Sequence, residues 1–338
     1  MGEMWYNKCM NNYRQPPRYR RRRLSGRFYA LLVILVLGVV AYFVVTNVIG
    51  LEDNDEPPPY NGYQNGHGNG EVGYIDISEL YVLQDHIRLV YAVNNIEDGM
   101  GFRVVDPFGL LRETVLSPRD RQVRLYSDLP IVLELGENNI DYVNIYVHRP
   151  RDVYERVVVI DAGHGGGDGG APVAGVIESH LTLAIALRLY DLFAESDSGI
   201  TAFMTRREDV FVSNTQRSAF INRVGHLAVS IHTNTYHLSS VSGSETLYST
   251  NGHPQSNILA QIVVDHLSSE LGTRNRGIFT RTDLYILNAT RLTPTTIAEI
   301  DFKTNPAARA NLQSPAYQQR VAQALYDAIV YAFERMFD

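Results

Sequence analysis

The C-terminal half of this chain reads as an α/β domain, a twisted, mostly parallel sheet with helices on both faces, preceded by a transmembrane helix and a small all-β domain. Three observations predict this. From Arg156 onward short apolar strands alternate with helical stretches; between about residues 73 and 150 only short runs of alternating apolar and polar residues occur; and residues 28–49 are apolar without interruption. Alternation of strands and helices argues for a sheet covered on both sides, whereas strand-period runs alone argue for a sheet-only unit. A length of 338 residues is enough for roughly two domains with cores of their own.

Residues 1–27 form a basic tail. Lys8, Arg14, Arg18, Arg20, Arg21, Arg22, Arg23 and Arg27 stand against Glu3 alone, giving the tail +7 and leaving −14 on the rest of a chain whose formal charge is −7. A nucleic-acid enzyme would carry its positive charge on the folded part, where it meets phosphates, so the acidic remainder argues against a nucleic-acid partner. The single cysteine, Cys9, lies in this tail. No intramolecular disulfide and no cysteine metal site can form, and any metal must be held by histidines and carboxylates.

Residues 28–49, FYALLVILVLGVVAYFVVTNVI, carry no charge. At about 1.5 Å per residue the stretch reaches roughly 30 Å, the thickness of a hydrocarbon core. Arginines precede it and Glu52, Asp53, Asp55 and Glu56 follow it. The positive-inside rule then places the N-terminus in the cytoplasm and the remainder outside, anchored to the cell membrane by one pass. Residues 50–72, rich in Pro, Gly, Asn and acidic residues, cannot bury a core and read as a flexible linker, with His67 a solvated side chain in it.

Residues 73–150 contain HIRLVYAV, GFRVVD, RQVRLY, PIVLELG and DYVNIYVH, separated by turn residues such as Asn94-Asn95 and Asp98-Gly99. The expected β-domain shows no cluster that exceeds what half-buried strands need, and a spacer and a wall-binding module are equally open. In residues 155–338 the expected order is the strand VVVID, a helix from about Ser179 to Ala194, the strand ITAFMTR, a helix near Gln216 to Val224, and the strand LAVSIH. There follow the strand ETLYST, a helix near Gln255 to Leu271, strands at DLYILN and TTIAEID, and a last helix from about Pro315 to Phe337.

His164 lies in the loop DAGHGGGDGGAP after the first of these strands. Gly165, Gly167 and Gly170 satisfy a dinucleotide fingerprint, but that motif needs a helix opening directly on the glycines, and Pro172 and Gly175 intervene. Glu178 opens the next helix, where a carboxylate also complements the helix dipole. His232 ends LAVSIH and Glu299 lies near the end of TTIAEID. In open α/β sheets functional groups gather at the carboxyl ends of strands, so these segments can deliver their side chains to one edge. Two imidazoles and one carboxylate leave a fourth tetrahedral position for water, the arrangement of a catalytic Zn2+ site. His164, Glu178 and His232 are the candidate metal ligands, and Glu299 is the candidate to move protons. His180, His226, His237, His253 and His266 receive no role.

From about Val157 to Phe333 the sequence resembles the zinc-dependent N-acetylmuramoyl-L-alanine amidases of bacterial cell walls, of the DxGHGG type. DAGHGG at Asp161 to Gly166 is similar to the first zinc motif, and Glu178 in GVIESHLTLAIAL to the glutamate ligand. Arg217, Asn222 and SIHTN at Ser230 to Asn234 resemble the run that ends on the third ligand, His232. DLYILNATRLTPTTIAEIDFKTN resembles the segment that carries the catalytic glutamate, here Glu299, followed by Phe302 and Asn305. The resemblance implies hydrolysis of the amide between N-acetylmuramic acid and L-alanine of the stem peptide, with peptidoglycan as partner and Asn234 and Arg217 as substrate-binding residues. It also implies an uncovered cleft, since the interval from His232 to Glu299 lacks room for the regulatory helix of some members. One departure stands out: Asp301 occupies a position where the family usually has Gly, and a second carboxylate there is expected to raise the pKa of Glu299 or alter the loop. A degenerate, non-catalytic peptidoglycan-binding protein and a zinc peptidase cutting within the stem are the alternatives.

Overall fold

The computed structural model describes residues 79–83, 86–93, 101–117, 122–135 and 142–337. The expected basic tail with Cys9, the transmembrane helix at 28–49 and the linker with His67 lie outside the described residues. Among the described residues no helix is long and apolar enough to cross a membrane.

Seven strands come first: β1 (Glu79–Leu83), β2 (His86–Val93), β3 (Gly101–Val105), β4 (Leu111–Ser117), β5 (Gln122–Ser127), β6 (Val132–Leu135) and β7 (Tyr142–His148). They form a four-stranded sheet in the order β1-β2-β5-β4 and a three-stranded sheet in the order β3-β7-β6. The alternation in the sequence appears directly as burial: Val123, Leu125 and Ser127 of β5, and Ile145 and Val147 of β7, are buried while the residues between them are partly exposed. A one-turn helix, α1 (Pro150–Val153), follows. Its Arg151 donates to the carbonyl of Asn222 at 2.8 Å and to Thr293 Oγ1 at 3.2 Å.

The α/β part then runs β8 (Arg156–Ala162), α2 (Glu178–Glu195), β9 (Ile200–Met204), α3 (Asn214–Val224), β10 (Leu227–Asn234) and β11 (Ser244–Tyr248). It continues with α4 (Ser256–Leu271), β12 (Asn275–Thr280), α5 (Tyr285–Ala289), β13 (Thr295–Phe302), α6 (Pro306–Gln313) and α7 (Pro315–Met336). The six-stranded sheet has the order β12-β11-β13-β10-β8-β9, and every neighbouring pair is parallel except β11 with β13. Val157 to Ile160 are fully buried because β8 is covered on both faces, which is why its sequence is an unbroken apolar run. On one face Val158, Ile160, Val229 and Ile231 pack beneath α2, α4 and α7 through Ile185, Leu189, Val263, Leu325 and Phe333. On the other, Val157, Val159, Ala228 and Ile297 meet Phe220, Ile221 and Val224 of α3 and Ile286 and Leu287 of α5. Each such fully buried side chain contributes about 1.5–3 kcal/mol, so the helices on both faces hold the sheet firmly.

One local expectation is corrected, and two elements are added. DLYILN contributes to the short helix α5 rather than to a strand: Asn288 and Thr290 donate to the carbonyls four residues back, and Ile286 and Leu287 point into the core. A three-residue apolar run does not distinguish a strand from one helical turn. NRGIFT, to which the sequence pattern assigned no element, is the edge strand β12. The expected last helix is α7, and a short helix that was not expected precedes it: Asn305 caps α6 through bonds from the N–H groups of Ala307 and Ala308, and Pro315 restarts the chain as α7.

Candidate metal centre and its neighbouring carboxylates

The parallel strands deliver their carboxyl ends to one sheet edge, and the register there brings the candidate residues together. Ser230 lies opposite Asp161, His232 opposite Glu299, and Glu299 opposite Glu245 on the reversed strand β11. His232, Glu299 and Glu245 thus lie side by side at that edge.

The loop after β8 begins from a fixed anchor. The buried Asp161 carboxylate accepts from Thr205 Oγ1, Arg217 Nη1 and Ser230 Oγ, each at 2.5 Å. Burial alone would raise its pKa, but the Arg217 charge and these hydrogen bonds hold it below the ordinary carboxylate value. Two buried arginines then take up the carbonyls of the following residues. Arg217 donates to Ala162 at 2.8 Å and to His164 at 2.5 Å, and Arg206 to Ala162 at 2.8 Å and to Gly163 at 2.9 Å. Their work is visible in the backbone: His164 sits at φ 60°, a left-handed conformation that a non-glycine residue adopts only when its surroundings enforce it.

His164 Nδ1 lies 3.0 Å from Asp168 Oδ2, which orients the ring and turns Nε2 toward Glu178 Oε1, 3.3 Å away. Glu178, at the start of α2, is almost fully buried, and the same Oε1 accepts the Thr233 N–H at 3.0 Å and faces His232 Nδ1 at 3.2 Å. His232 fits only because residue 163 is glycine, as an ideal Cβ there would fall 2.4 Å from its Cε1 and Nε2. A Cβ on Gly170 would likewise fall 2.7 Å from Glu178 Cβ and Oε2. The loop glycines therefore make room for two of the candidate ligands.

One donor atom from each of His164, Glu178 and His232 lies within 4.8 Å of the others. The chemistry of this set suits a divalent cation. The two rings, with centroids 4.9 Å apart, pull in opposite directions. Burial and the charge of its neighbour lower the pKa of His232, whereas hydrogen bonds donated to Asp168 and Glu178 override burial at His164 and push it up to about 9. Burial would raise Glu178, yet the imidazoles and Lys303 keep it well below its ordinary value. Two imidazole nitrogens and an ionised carboxylate oxygen converging on one point are the donors of a tetrahedral zinc site with one position left open.

Glu299 stands beside this cluster, and its Oε2 is buried with no hydrogen-bond partner. Burial, then the charges of Glu178 and Glu245, raise its pKa to about 8. The carboxylates that act on it are therefore Glu178 and Glu245, and the expectation that Asp301 raises the pKa of Glu299 is corrected, whereas Asp301 does engage the loop before β11. Between His232 and Asn234 the pairing of β10 with β13 slips, so that Asn234 lies opposite Phe302. Asp301 Oδ1 accepts the N–H groups of Gly243 at 2.8 Å and Phe302 at 2.7 Å.

Asn234 lies at the same edge and donates to Glu245 Oε1 at 2.7 Å, while Arg276 donates to Glu245 Oε2 at 2.7 Å and stacks over Phe302. Arg217 is not an open substrate contact. It is buried, and its guanidinium is committed to Asp161, Val212, Ala162 and His164. Asn222 bridges α3 to the segment after α5, donating to the Ala289 carbonyl and accepting from Leu292 N–H. His180 pairs with Asp209, away from the cluster. Sequence reasoning missed Asp168, Arg206, Glu245 and Lys303. Arg206 carries a partial signal, as a charged residue two positions past the apolar strand β9 on the reactive edge.

A two-histidine, one-carboxylate cluster at the carboxyl edge of an α/β sheet, with a proton-holding carboxylate beside it, is the arrangement of metal-assisted hydrolases. A family model described as N-acetylmuramoyl-L-alanine amidase matches residues 158–331, and the chain belongs to that family of amide-bond hydrolases. It is 34% identical over 176 residues to YqiI of Bacillus subtilis (strain 168), an uncharacterized protein, covering 52% of this chain and 83% of that one. With the N-acetylmuramoyl-L-alanine amidase LytC of the same organism it shares 33% over 180 residues, 53% of this chain but only 36% of LytC. The N-acetylmuramoyl-L-alanine amidase from Clostridium difficile 630 matches in structure with a TM-score of 0.51 at 26% identity, over 54% of this chain and 99% of its own.

Proposed function

We propose that this protein is a zinc-dependent N-acetylmuramoyl-L-alanine amidase acting on peptidoglycan outside the cell, held to the membrane by residues 28–49. The observation that carries this reading is the convergence of His164 Nε2, Glu178 Oε1 and His232 Nδ1 beside the partnerless Glu299 carboxylate, within a chain of this family. The uncharged span after a block of arginines supports the anchor, with the N-terminus in the cytoplasm.

His164, Glu178 and His232 would hold the zinc, which when bound polarises the scissile carbonyl and makes a water acidic enough to attack near neutral pH. Glu299 takes the proton from the attacking water and hands it to the departing amine of L-alanine. Burial and the neighbouring carboxylates raise its proton affinity, and the charge of a bound cation would draw it back down, so that the group can both take and return a proton. Asp168 fixes the His164 ring, Arg206 and Arg217 fix the loop that carries it, and Glu245 supplies charge that raises the proton affinity of Glu299. With Asp301 engaged by two backbone N–H groups, the degenerate, non-catalytic alternative loses the feature that suggested it.

The test is digestion of purified peptidoglycan by the full chain, followed by mass spectrometry. Peptides beginning with L-alanine, together with unsubstituted muramic acid, are expected, and a chelator should stop their release. Fragments cut within the stem would identify a peptidase instead. Intact glycan-linked peptides after long incubation with zinc would leave a binding protein.

A further inference from the structure

Lys303 is one of the largest fully buried side chains among the described residues, and the proposed mechanism does not use it. Its ammonium meets a single partner, Oε2 of Glu178, the oxygen that faces away from both imidazoles. Its backbone is fixed on both sides, the N–H donating to the Asn234 carbonyl at 2.8 Å and the carbonyl accepting from Arg309 Nη1 at 2.8 Å. Phe302 before it is buried as well. The side chain is enclosed and its main chain pinned, so the ammonium stays beside Glu178 whatever occupies the other oxygen.

We propose that Lys303 is a built-in counter-ion of the ligand carboxylate, and that the ammonium and a bound metal ion act antagonistically on Glu178. A buried carboxylate without a partner is costly, and an ammonium on Oε2 removes that cost in the metal-free protein. A divalent cation arriving at Oε1 then finds the carboxylate already neutralised, and it is repelled by a positive charge that cannot withdraw. The lysine therefore stabilises the empty site and weakens the loaded one. By linkage the same coupling makes the metal weaken the hold of Lys303 on Glu178. Occupancy of Oε2 also leaves Glu178 one oxygen to offer, which suits four-coordination with a position open for substrate.

This inference rests on the metal assignment proposed above, and the experiment separates the two. The full chain and its K303M and K303Q variants are stripped with a chelator, and zinc affinity is measured by competition with a chromophoric chelator. Thermal unfolding is followed with and without zinc. Both neutral variants are expected to bind zinc at least about tenfold more tightly than wild type, since a neighbouring unit charge of the same sign has been removed. Their metal-free forms should unfold at a lower temperature than wild type, and zinc should raise their midpoints by more. If K303M cannot be obtained folded, K303Q, which keeps a donor without the charge, decides the question by its affinity. Unchanged or weaker affinity in the variants overturns the inference and leaves Lys303 as a device that only orients Glu178. Wild-type protein that binds no zinc overturns the metal assignment, and this inference with it.

Discussion

Replacing Gly163 with alanine is the sharpest test of the site's construction, because the effect follows from three distances. An ideal Cβ at that position lies 2.4 Å from both Cε1 and Nε2 of His232 and 2.7 Å from the carbonyl oxygen of Ile231, where ordinary contact begins at 3.4 Å. The Ile231 carbonyl is fixed, since it already accepts the Gly163 N–H at 3.1 Å, so the ring must give way, by about 1 Å. Metal-ligand distances tolerate only about 0.2 Å, and a ring displaced several times that far no longer completes the donor set. We therefore expect Gly163→Ala to lower zinc affinity by more than about 100-fold, at an overpacking cost of about 1–3 kcal/mol that leaves the domain folded. Chelator competition measures the first quantity and urea unfolding the second. A folded variant that binds zinc within threefold of wild type would refute the placement of His232 against Gly163.

Glu299→Gln should spare zinc binding and lower the rate of stem-peptide release by roughly 10²–10⁴-fold, the usual worth of a positioned acid-base group; a rate within a few-fold of wild type would move proton transfer to another residue. Because the pKa of His164 is pushed up to about 9 in the metal-free protein, zinc must displace a proton at neutral pH. Affinity should accordingly rise with pH up to about 9 and then level, and calorimetry in buffers of different ionisation enthalpy should count the proton released; a pH-independent affinity would contradict the charge state drawn for that ring. Asp301→Ala should leave turnover within a few-fold of wild type while costing about 1–3 kcal/mol of stability, since the buried Gly243 N–H loses its acceptor; a collapse of turnover in a stable variant would restore Asp301 to the site.

The three candidate ligands were legible because each sits where an element boundary fixes it. His164 follows an apolar strand, His232 closes another, and Glu178 opens a strongly periodic helix. Glu299 was legible as a carboxylate near the end of a strand that runs to the same edge. The residues that support them were not. Lysine and arginine in a sequence read as solvated surface; nothing local to Lys303 announces that it is wholly buried against a carboxylate, and the place of Arg206 just past an apolar strand does not announce the string of carbonyls it meets. Asp301 meets two backbone N–H groups where the register between β10 and β13 slips, and periodicity within one strand carries no information about pairing with the next. The short helix α5 and the edge strand β12 failed for want of length, too few apolar residues standing in either to set a period.

The reversal of β11, which β12 shares, has a topological consequence. β10 runs toward the reactive edge and β11, antiparallel to its neighbour β13, starts from it, so residues 235–243 leave and return on the same side of the sheet. Tyr236 and Leu238 lie exposed on this segment. Any lengthening there adds material directly over the catalytic side without threading a connection across the core. The domain thus carries one position at which access to its chemistry can be remodelled by insertion while β8, β10 and β13 keep their places.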